Sequence, residues 1–227
     1  MKLSVIIPVY NEEKTLPVIL KQVLDVPLNK EIIIVDDGST DNTSKILEQY
    51  YHRKDLKVIR HKSNKGKGMA VRTALGYVTG SIVIIQDGDL EYDPRDYLAL
   101  IEPVRSGREL VVYGARTWKK LQSHTLSYLG CKTLSFLTNM LYRQHLTDEP
   151  TCYKVFNARL IKSIPLDCKG FEFDPEITAK VSKRGVKIKE IPIKYYPRSF
   201  REGKKIIWID GIIAIWTLIK YRFISQK

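Results

Sequence analysis

Short unbroken apolar runs alternate with amphipathic stretches through the first third of the chain. Leu3–Val9, Glu31–Val35, Leu56–Arg60 and Ser81–Ile85 read as strands. They are rich in Val and Ile and lack polar alternation, the pattern of parallel strands buried on both faces. Between the first two, Glu12–Val26 carries Leu16, Ile19, Leu20, Val23 and Leu24, which fall on one stripe of a helix. Ser39–Asn42 offers N-caps for a helix to about Tyr50, and Lys67–Val78 predicts another. Strands separated by such helices join through right-handed crossovers into a parallel sheet. The expected fold is α/β, with a mostly parallel central sheet flanked by helices.

The later chain is less regular. Pro94–Ser106 predicts a helix, Leu110–Tyr113 a strand ending near Arg116, and Ser123–Tyr142 one long helix or two short ones. Thr151–Phe156 predicts a strand, and Pro175–Arg184 a helix closed by Gly185. Val186–Tyr195 alternates as a late strand. At the end, Arg198, Arg201, Lys204 and Lys205 precede the apolar run Ile206–Ile219, which closes on Lys220, Tyr221, Arg222 and Phe223. Aromatic ends and basic flanks suit an amphipathic helix lying on a membrane surface. A helix docked on the core is the other reading. Asp210 and Gly211 interrupt the run, and no apolar stretch reaches the roughly 18–20 residues needed to span a bilayer. A strand that starts at Leu3 leaves no room for a signal peptide.

With 227 residues and no Pro/Gly/Ser-rich linker, one large domain is expected. Charge changes the picture more. There are 38 Lys and Arg against 25 Asp and Glu, a net +13. Such an excess suits an anionic partner: nucleic acid, a phosphorylated ligand or an acidic membrane surface. Cys131, Cys152 and Cys168 are odd in number and widely spaced, which fits a reducing compartment.

Against that basic background, two acidic clusters stand just past apolar strands: Asp36-Asp37-Gly38-Ser39-Thr40-Asp41 and Asp87-Gly88-Asp89. Open α/β sheets place ligands beyond the carboxyl ends of their strands. Residues i and i+2 project to the same side, so Asp87 and Asp89 could share one hard cation, Mg²⁺ or Mn²⁺, with phosphate oxygens completing its shell. Glu91 is a further or water-mediated ligand. Asp36 and Asp37 could accept hydrogen bonds from a ribose or a base edge. Tyr10 could stack on a base, and Glu12 could bond a ribose hydroxyl. Asn64-Lys65-Gly66-Lys67-Gly68 opens a helix, as a phosphate cradle or a plain turn. Asp148 and Glu149 lie in a turn before a strand, or position an acceptor. Glu172, Asp174 and Glu176 are accounted for by capping and the helix dipole.

Val5-Ile6-Ile7-Pro8-Val9-Tyr10-Asn11-Glu12, Val35-Asp36-Asp37-Gly38-Ser39-Thr40-Asp41, Asn64-Lys65-Gly66-Lys67-Gly68 and Asp87-Gly88-Asp89-Leu90-Glu91 together resemble the family 2 glycosyltransferases of GT-A fold. Within that family the chain looks most like the polyprenyl-phosphate sugar synthases, typified by dolichol-phosphate mannose synthase. The resemblance implies a GT-A domain over residues 1–197 and a basic loop with a membrane-surface helix over 198–227. It implies metal-dependent, inverting transfer of a hexose from a GDP- or UDP-linked sugar to dolichyl or undecaprenyl phosphate, at the cytoplasmic face of a membrane. By it, Pro8, Tyr10, Glu12 and Asp37 would hold the nucleoside. Asp87, Gly88 and Asp89 would hold the diphosphate and the Mg²⁺ or Mn²⁺, with Glu91 where the family often has Gln. Arg116 would contact phosphate and, with Asp89, serve catalysis. Arg198 and Lys204 would belong to a basic loop over the phosphates. The family's Gly-Glu-Ser-Lys is Glu-Gly-Lys-Lys here, which leaves Lys204 and Lys205 as alternatives.

A lipid phosphate is already an anionic nucleophile and needs no general base, whereas a hydroxyl acceptor does. A family 2 enzyme acting on a hydroxyl acceptor is the alternative, with Asp148 and Glu149 as candidate bases. A basic nucleic-acid-binding module is the remote one: no helix-turn-helix, RNA-binding signature or zinc spacing occurs, and acids gather where such a module wants bases.

Overall fold

The computed structural model describes residues 1–117, 126–198, 205 and 207–224. Seven strands form one sheet: β1 (Leu3–Val9), β2 (Lys30–Asp36), β3 (Leu56–Arg60), β4 (Ile82–Ile85), β5 (Val111–Arg116), β6 (Lys154–Asn157) and β7 (Ile188–Ile193). Their order across the sheet is β3-β2-β1-β4-β6-β5-β7. β6 runs antiparallel to both neighbours, and every other pairing is parallel. The helices are α1 (Leu16–Asp25), α2 (Thr43–Glu48), α3 (Lys67–Leu75), α4 (Tyr97–Arg105), α5 (Leu126–Tyr142), α6 (Ala158–Ser163), α7 (Phe173–Lys183) and α8 (Trp208–Phe223). The mostly parallel α/β sheet expected from the strand runs is therefore present.

β1 sits between β2 and β4, and Val5, Ile6 and Ile7 are fully buried. That explains the unbroken apolar runs, since neither face of these strands meets water. α3 packs on β1 and β2, while α4 packs on β4, β5 and β6. A second apolar cluster, Leu134, Tyr142, Ala179, Ala214, Leu218 and Tyr221, binds α5, α7 and α8 together.

Register positions the site. Val9 lies opposite Asp36, and Ile6 opposite Ile85. The Asp37 N–H donates to Val9 O and the Gln86 N–H to Ile6 O. Pairing in this register brings Tyr10, Asp37 and Asp87 out along one edge of the sheet.

Several local features differ from the sequence reading. α1 begins at Leu16, not Glu12. Asn11 takes the left-handed region at φ 51°, and Glu12 O accepts the N–H groups of Thr15 and Leu16. Glu12 thus stays in a turn at the sheet edge. Ser39 and Thr40 do not cap α2. The Ser39 hydroxyl accepts the Asn11 N–H, and Asn11 Oδ1 accepts the Thr40 N–H, which ties two strand-end loops together. α6 was not expected, and is started by Asn157, whose side chain accepts the N–H groups of Arg159 and Leu160. The expected helix start at Ser123 lies outside the described residues.

Candidate active site

A cavity of about 990 Å³ opens at the carboxyl ends of β1, β2 and β4. Pro8, Tyr10, Glu12, Asp37, Asp87, Gly88, Asp89, Glu91, Arg116, Arg198 and Lys205 all line it. Asp36, Asp148 and Glu149, also considered for the site, do not line it. Lys204 lies outside the described residues.

Asp37 is almost fully engaged. Its carboxylate accepts from the Lys65 and Gly66 N–H groups at 2.7–3.0 Å, and its Oδ1 lies 2.6 Å from His61 Nδ1. It therefore shapes the 64–66 turn, a role that no local sequence signal announces. Gly66 has φ 94°, and a Cβ there would meet Lys169 O at 2.4 Å. The glycine turn is set by packing against residues 168–170, and Asn64, Gly66 and Lys67 line the cavity from it. Asp36 is turned away, with Oδ1 accepting the Ser39 N–H and Oδ2 the Ser44 hydroxyl.

Beyond β4, the buried Gln86 is clamped by the Tyr97 and Tyr153 hydroxyls, both 2.7 Å from Oε1. Its own amide donates to Asp87 O, which fixes the start of the acidic turn. A Cβ on Gly88 would meet Val9 Cγ1 at 2.7 Å, so only glycine lets this turn lie against β1. Asp89 is buried. Burial, with Asp87 and Glu91 as neighbouring like charges, pushes its carboxyl up to about 7, partly offset by Arg198.

Cations meet these acids from two directions. Lys67 Nζ lies 3.0 Å from Asp87 Oδ1 and 3.5 Å from Asp174 Oδ2. Arg198 donates to Asp89 Oδ2 at 2.7 Å and to Glu12 Oε2 at 3.1 Å. Lys205 reaches Glu12 Oε1 at 2.6 Å, bonds Tyr10 O and lies over the Tyr10 ring. Glu91 departs from the expected third-ligand position. Its Oε1 takes the Arg198 N–H at 2.7 Å and its Oε2 the Tyr195 hydroxyl at 3.2 Å, so it secures the late segment.

Among the described residues no three His, Cys, Asp or Glu side chains form a ready-made metal cage. Asp87 and Asp89 supply hard oxygen donors in a pocket whose concentrated negative charge opposes ionisation of Asp89. This donor set fits a divalent cation held by one or two carboxylates plus substrate phosphates, the usual manner of Mg²⁺.

Arg116, at the end of β5, forms a two-point pair with Asp148: Nε–Oδ2 and Nη2–Oδ1 are both 2.7 Å, and its backbone N–H also donates to Oδ2. Both side chains are buried. Glu149 is fully buried and absent from the cavity wall. Its Oε1 accepts the Thr178 hydroxyl, while Oε2 has no partner among the described residues, and burial pushes its carboxyl up to about 7 against the pull of Lys154.

The three acids around α7 also part ways. Glu172 accepts the N–H groups of Lys169 and Gly170, and Glu176 accepts those of Asp167 and Cys168 and pairs with Lys180. Neither caps α7 as expected: both carboxylates hold the N–H groups of the preceding 167–170 loop instead. Asp174 instead joins the cavity, and its partner Lys154 is a buried strand lysine that sequence reasoning missed. α5 and α8 also line the cavity, with the apolar Leu134, Ile212 and Ile215 beside the polar Ser127, Thr133 and Asp210. α8 buries Ala214, Thr217, Leu218 and Tyr221 but leaves Trp208 75% and Trp216 63% exposed. Among the described residues no helix is long and apolar enough to cross a membrane.

Comparison with known proteins accords with this geometry. An uncharacterized protein of Methanocaldococcus jannaschii is 31% identical over 229 residues, covering 96% of this chain and 91% of its own. The dolichyl-phosphate beta-glucosyltransferase ALG5A of Trichomonas vaginalis is 28% identical over 239 residues, covering 96% and 72%. Glucosyl-3-phosphoglycerate synthase of Mycobacterium tuberculosis, solved with Mn²⁺, UDP and glucosyl-3-phosphoglycerate, superposes with a TM-score of 0.74 at 19% identity, covering all of this chain and 81% of that one. The model of the family described as "Glycosyl transferase family 2" matches residues 4–164. The chain is thus a glycosyltransferase of GT-A fold and belongs to glycosyl transferase family 2.

Proposed function

We propose that this enzyme moves a hexose from a nucleotide-diphosphate sugar to a polyprenyl phosphate, working peripherally at the cytoplasmic face of a membrane. The observation that carries the reading is the mixed lining of the cavity. Carboxylates, lysines and arginines share it with Leu134, Ile212 and Ile215 of α5 and α8. A donor diphosphate suits the charged groups and an isoprenoid chain the apolar ones. The likeness to a dolichyl-phosphate glucosyltransferase supports the acceptor class, and the likeness to a structure holding UDP and Mn²⁺ supports the donor class.

Tyr10 and Glu12, with the turn shaped by Asp37, would seat the nucleoside. Asp87 and Asp89 would hold Mg²⁺ or Mn²⁺, which when bound offsets the charge that develops on the departing diphosphate. Arg198 and Lys205, whose cationic heads already reach these acids, would face the same phosphates. A phosphate oxygen of the acceptor forms the new bond to the sugar's anomeric carbon as the bond to the diphosphate breaks on the opposite face, with inversion. The attacking oxygen carries its own negative charge, so no proton has to be removed. The carboxylates that a hydroxyl acceptor would call upon are otherwise engaged. Asp148 is spent on Arg116, and Glu149 lies behind the wall.

The test is transfer from labelled UDP-glucose and GDP-mannose, with Mn²⁺, to undecaprenyl phosphate, dolichyl phosphate and soluble sugar alcohols. Product on a lipid phosphate, retained in Glu149→Gln, is expected. Transfer confined to hydroxyl acceptors would overturn the acceptor assignment.

A further inference from the structure

Charges of alternating sign run from the sheet interior to the cavity. Lys154 starts the row, on β6, with no exposed surface. An ammonium has three donors and no acceptor, and here all three are placed: on Glu149 O, on Thr151 O and on Asp174 Oδ1, which is 3.0 Å away. The other oxygen of Asp174 faces Lys67 at 3.5 Å, and Lys67 lies 3.0 Å from Asp87. Lys154 is behind the cavity, whereas Asp174, Lys67 and Asp87 line it.

Lys67 therefore has two anionic claimants. Which one holds it depends on how fully the charge of Asp174 is met from behind. With Lys154 in place, Asp174 is already compensated, and Lys67 sits closer to Asp87. Without Lys154, Asp174 would be a buried carboxylate with a single cation in reach, and leaving it unpaired is costly. Lys67 would be drawn inward, away from the wall that meets the diphosphate.

We propose that Lys154 is a positioning residue for donor binding: by neutralising Asp174 from the core side, it keeps the Lys67 ammonium at Asp87, on the diphosphate side of the cavity. This rests on the donor class proposed above. Lys154 touches no substrate, and its effect passes through Asp174 and Lys67 alone. The backbone bend that supplies its acceptors, residues 149–151, directly follows Asp148, the anchor of Arg116. One bend thus bears on two cations that line the cavity, Lys67 and Arg116.

Calorimetric titration of UDP and of GDP, each with Mn²⁺, separates this role from simple support of the fold. K154M should weaken binding about tenfold, the size expected when one charge-assisted contact to phosphate is withdrawn. The donor KM should rise in parallel, with a smaller change in kcat. The double variant K154M/D174N removes the rival for Lys67 and should bind at least about threefold more tightly than K154M. It also removes both buried charges at similar volume, a replacement the fold tolerates better than loss of one partner. K154Q takes the place of K154M if the latter does not fold. Unchanged binding in K154M, or no recovery in the double variant, would overturn the proposal while leaving the donor class intact. Wild-type protein that bound neither nucleotide would overturn both.

Discussion

The Arg198 guanidinium lies 2.7 Å from the carboxylate of Asp89, 109 positions earlier in the chain. The same side chain holds Glu12, so the late segment is fastened to two strand-end loops at once. These contacts give Asp89 a precise place, while burial and the charges of Asp87 and Glu91 raise its proton affinity. Replacement should therefore separate chemistry from folding.

Asp89→Asn is expected to lower transfer at least 100-fold, the scale at which a group stabilising charge in the transition state is lost. The fold should survive. A carboxyl that burial already pushes up to about 7 is readily replaced by a neutral amide of the same shape. Thermal melting should show a Tm within a few degrees of wild type, beside a Mn²⁺ titration that no longer activates. Turnover near wild type in this variant would remove Asp89 from the reaction.

Glu149 should make stability depend on pH in an unusual direction. Its folded-state value of about 7 lies above its ordinary 4.5. The native state therefore keeps a proton that the unfolded chain releases, and stability falls as pH rises from about 4.5 to about 7. The gap corresponds to on the order of 3 kcal/mol, as an upper bound. Denaturant unfolding at pH 5 and pH 7.5 should show this loss in wild type and a flatter profile in Glu149→Gln. Equal slopes for the two would place the titration elsewhere.

Gly66→Ala is expected to destabilise the protein by at least about 2 kcal/mol, from a positive φ combined with a backbone clash. The added methyl would stand 2.4 Å from Lys169 O, an atom that cannot swing aside. Since Gly66 also donates to Asp37, nucleotide affinity should fall together with Tm. Urea unfolding and nucleotide titration of one preparation test both effects. Wild-type stability would show that residues 168–170 yield.

Trp216 presents apolar area to solvent on α8, while Trp208, also exposed, belongs to the cavity lining. The change Trp216→Glu should leave Tm nearly unchanged, as surface substitutions do. Sedimentation with anionic phospholipid vesicles should drop at least tenfold, because buried apolar area and basic residues together set such binding. Unaltered sedimentation would locate the contact on another face.

Much of this architecture was legible in the sequence, for a physical reason. Parallel strands buried on both faces cannot alternate, so β1, β2 and β4 stand out as plain Val- and Ile-rich runs. The acids that follow them cannot be core residues, and the site they mark is where the sheet places it. Lys154 shows where such reading stops. It sits beside Val155 and Phe156 in an ordinary strand, and its counter-charge, Asp174, arrives from another element. Glu12 shows the same for local structure. The helical stripe runs smoothly into it, but the left-handed Asn11 holds it out of α1. For the terminal segment, periodicity left docking and membrane contact as alternatives. The structure docks one face of α8 on α5 and α7 and leaves Trp216 outward.

β7 pairs with β5 along six successive positions, from Val111–Ile188 to Arg116–Ile193, and a bridge between Tyr92 and Tyr195 carries the chain on to Arg198. None of β7 falls within the stretch that matches the family as a whole, residues 4–164. Recombination between relatives is therefore constrained. A hybrid gene whose crossover lies between residues 164 and 188 would join one parent's β5 and strand-end acids to the other's β7 and closing arginine, so donor selectivity should be inherited with both segments or with neither.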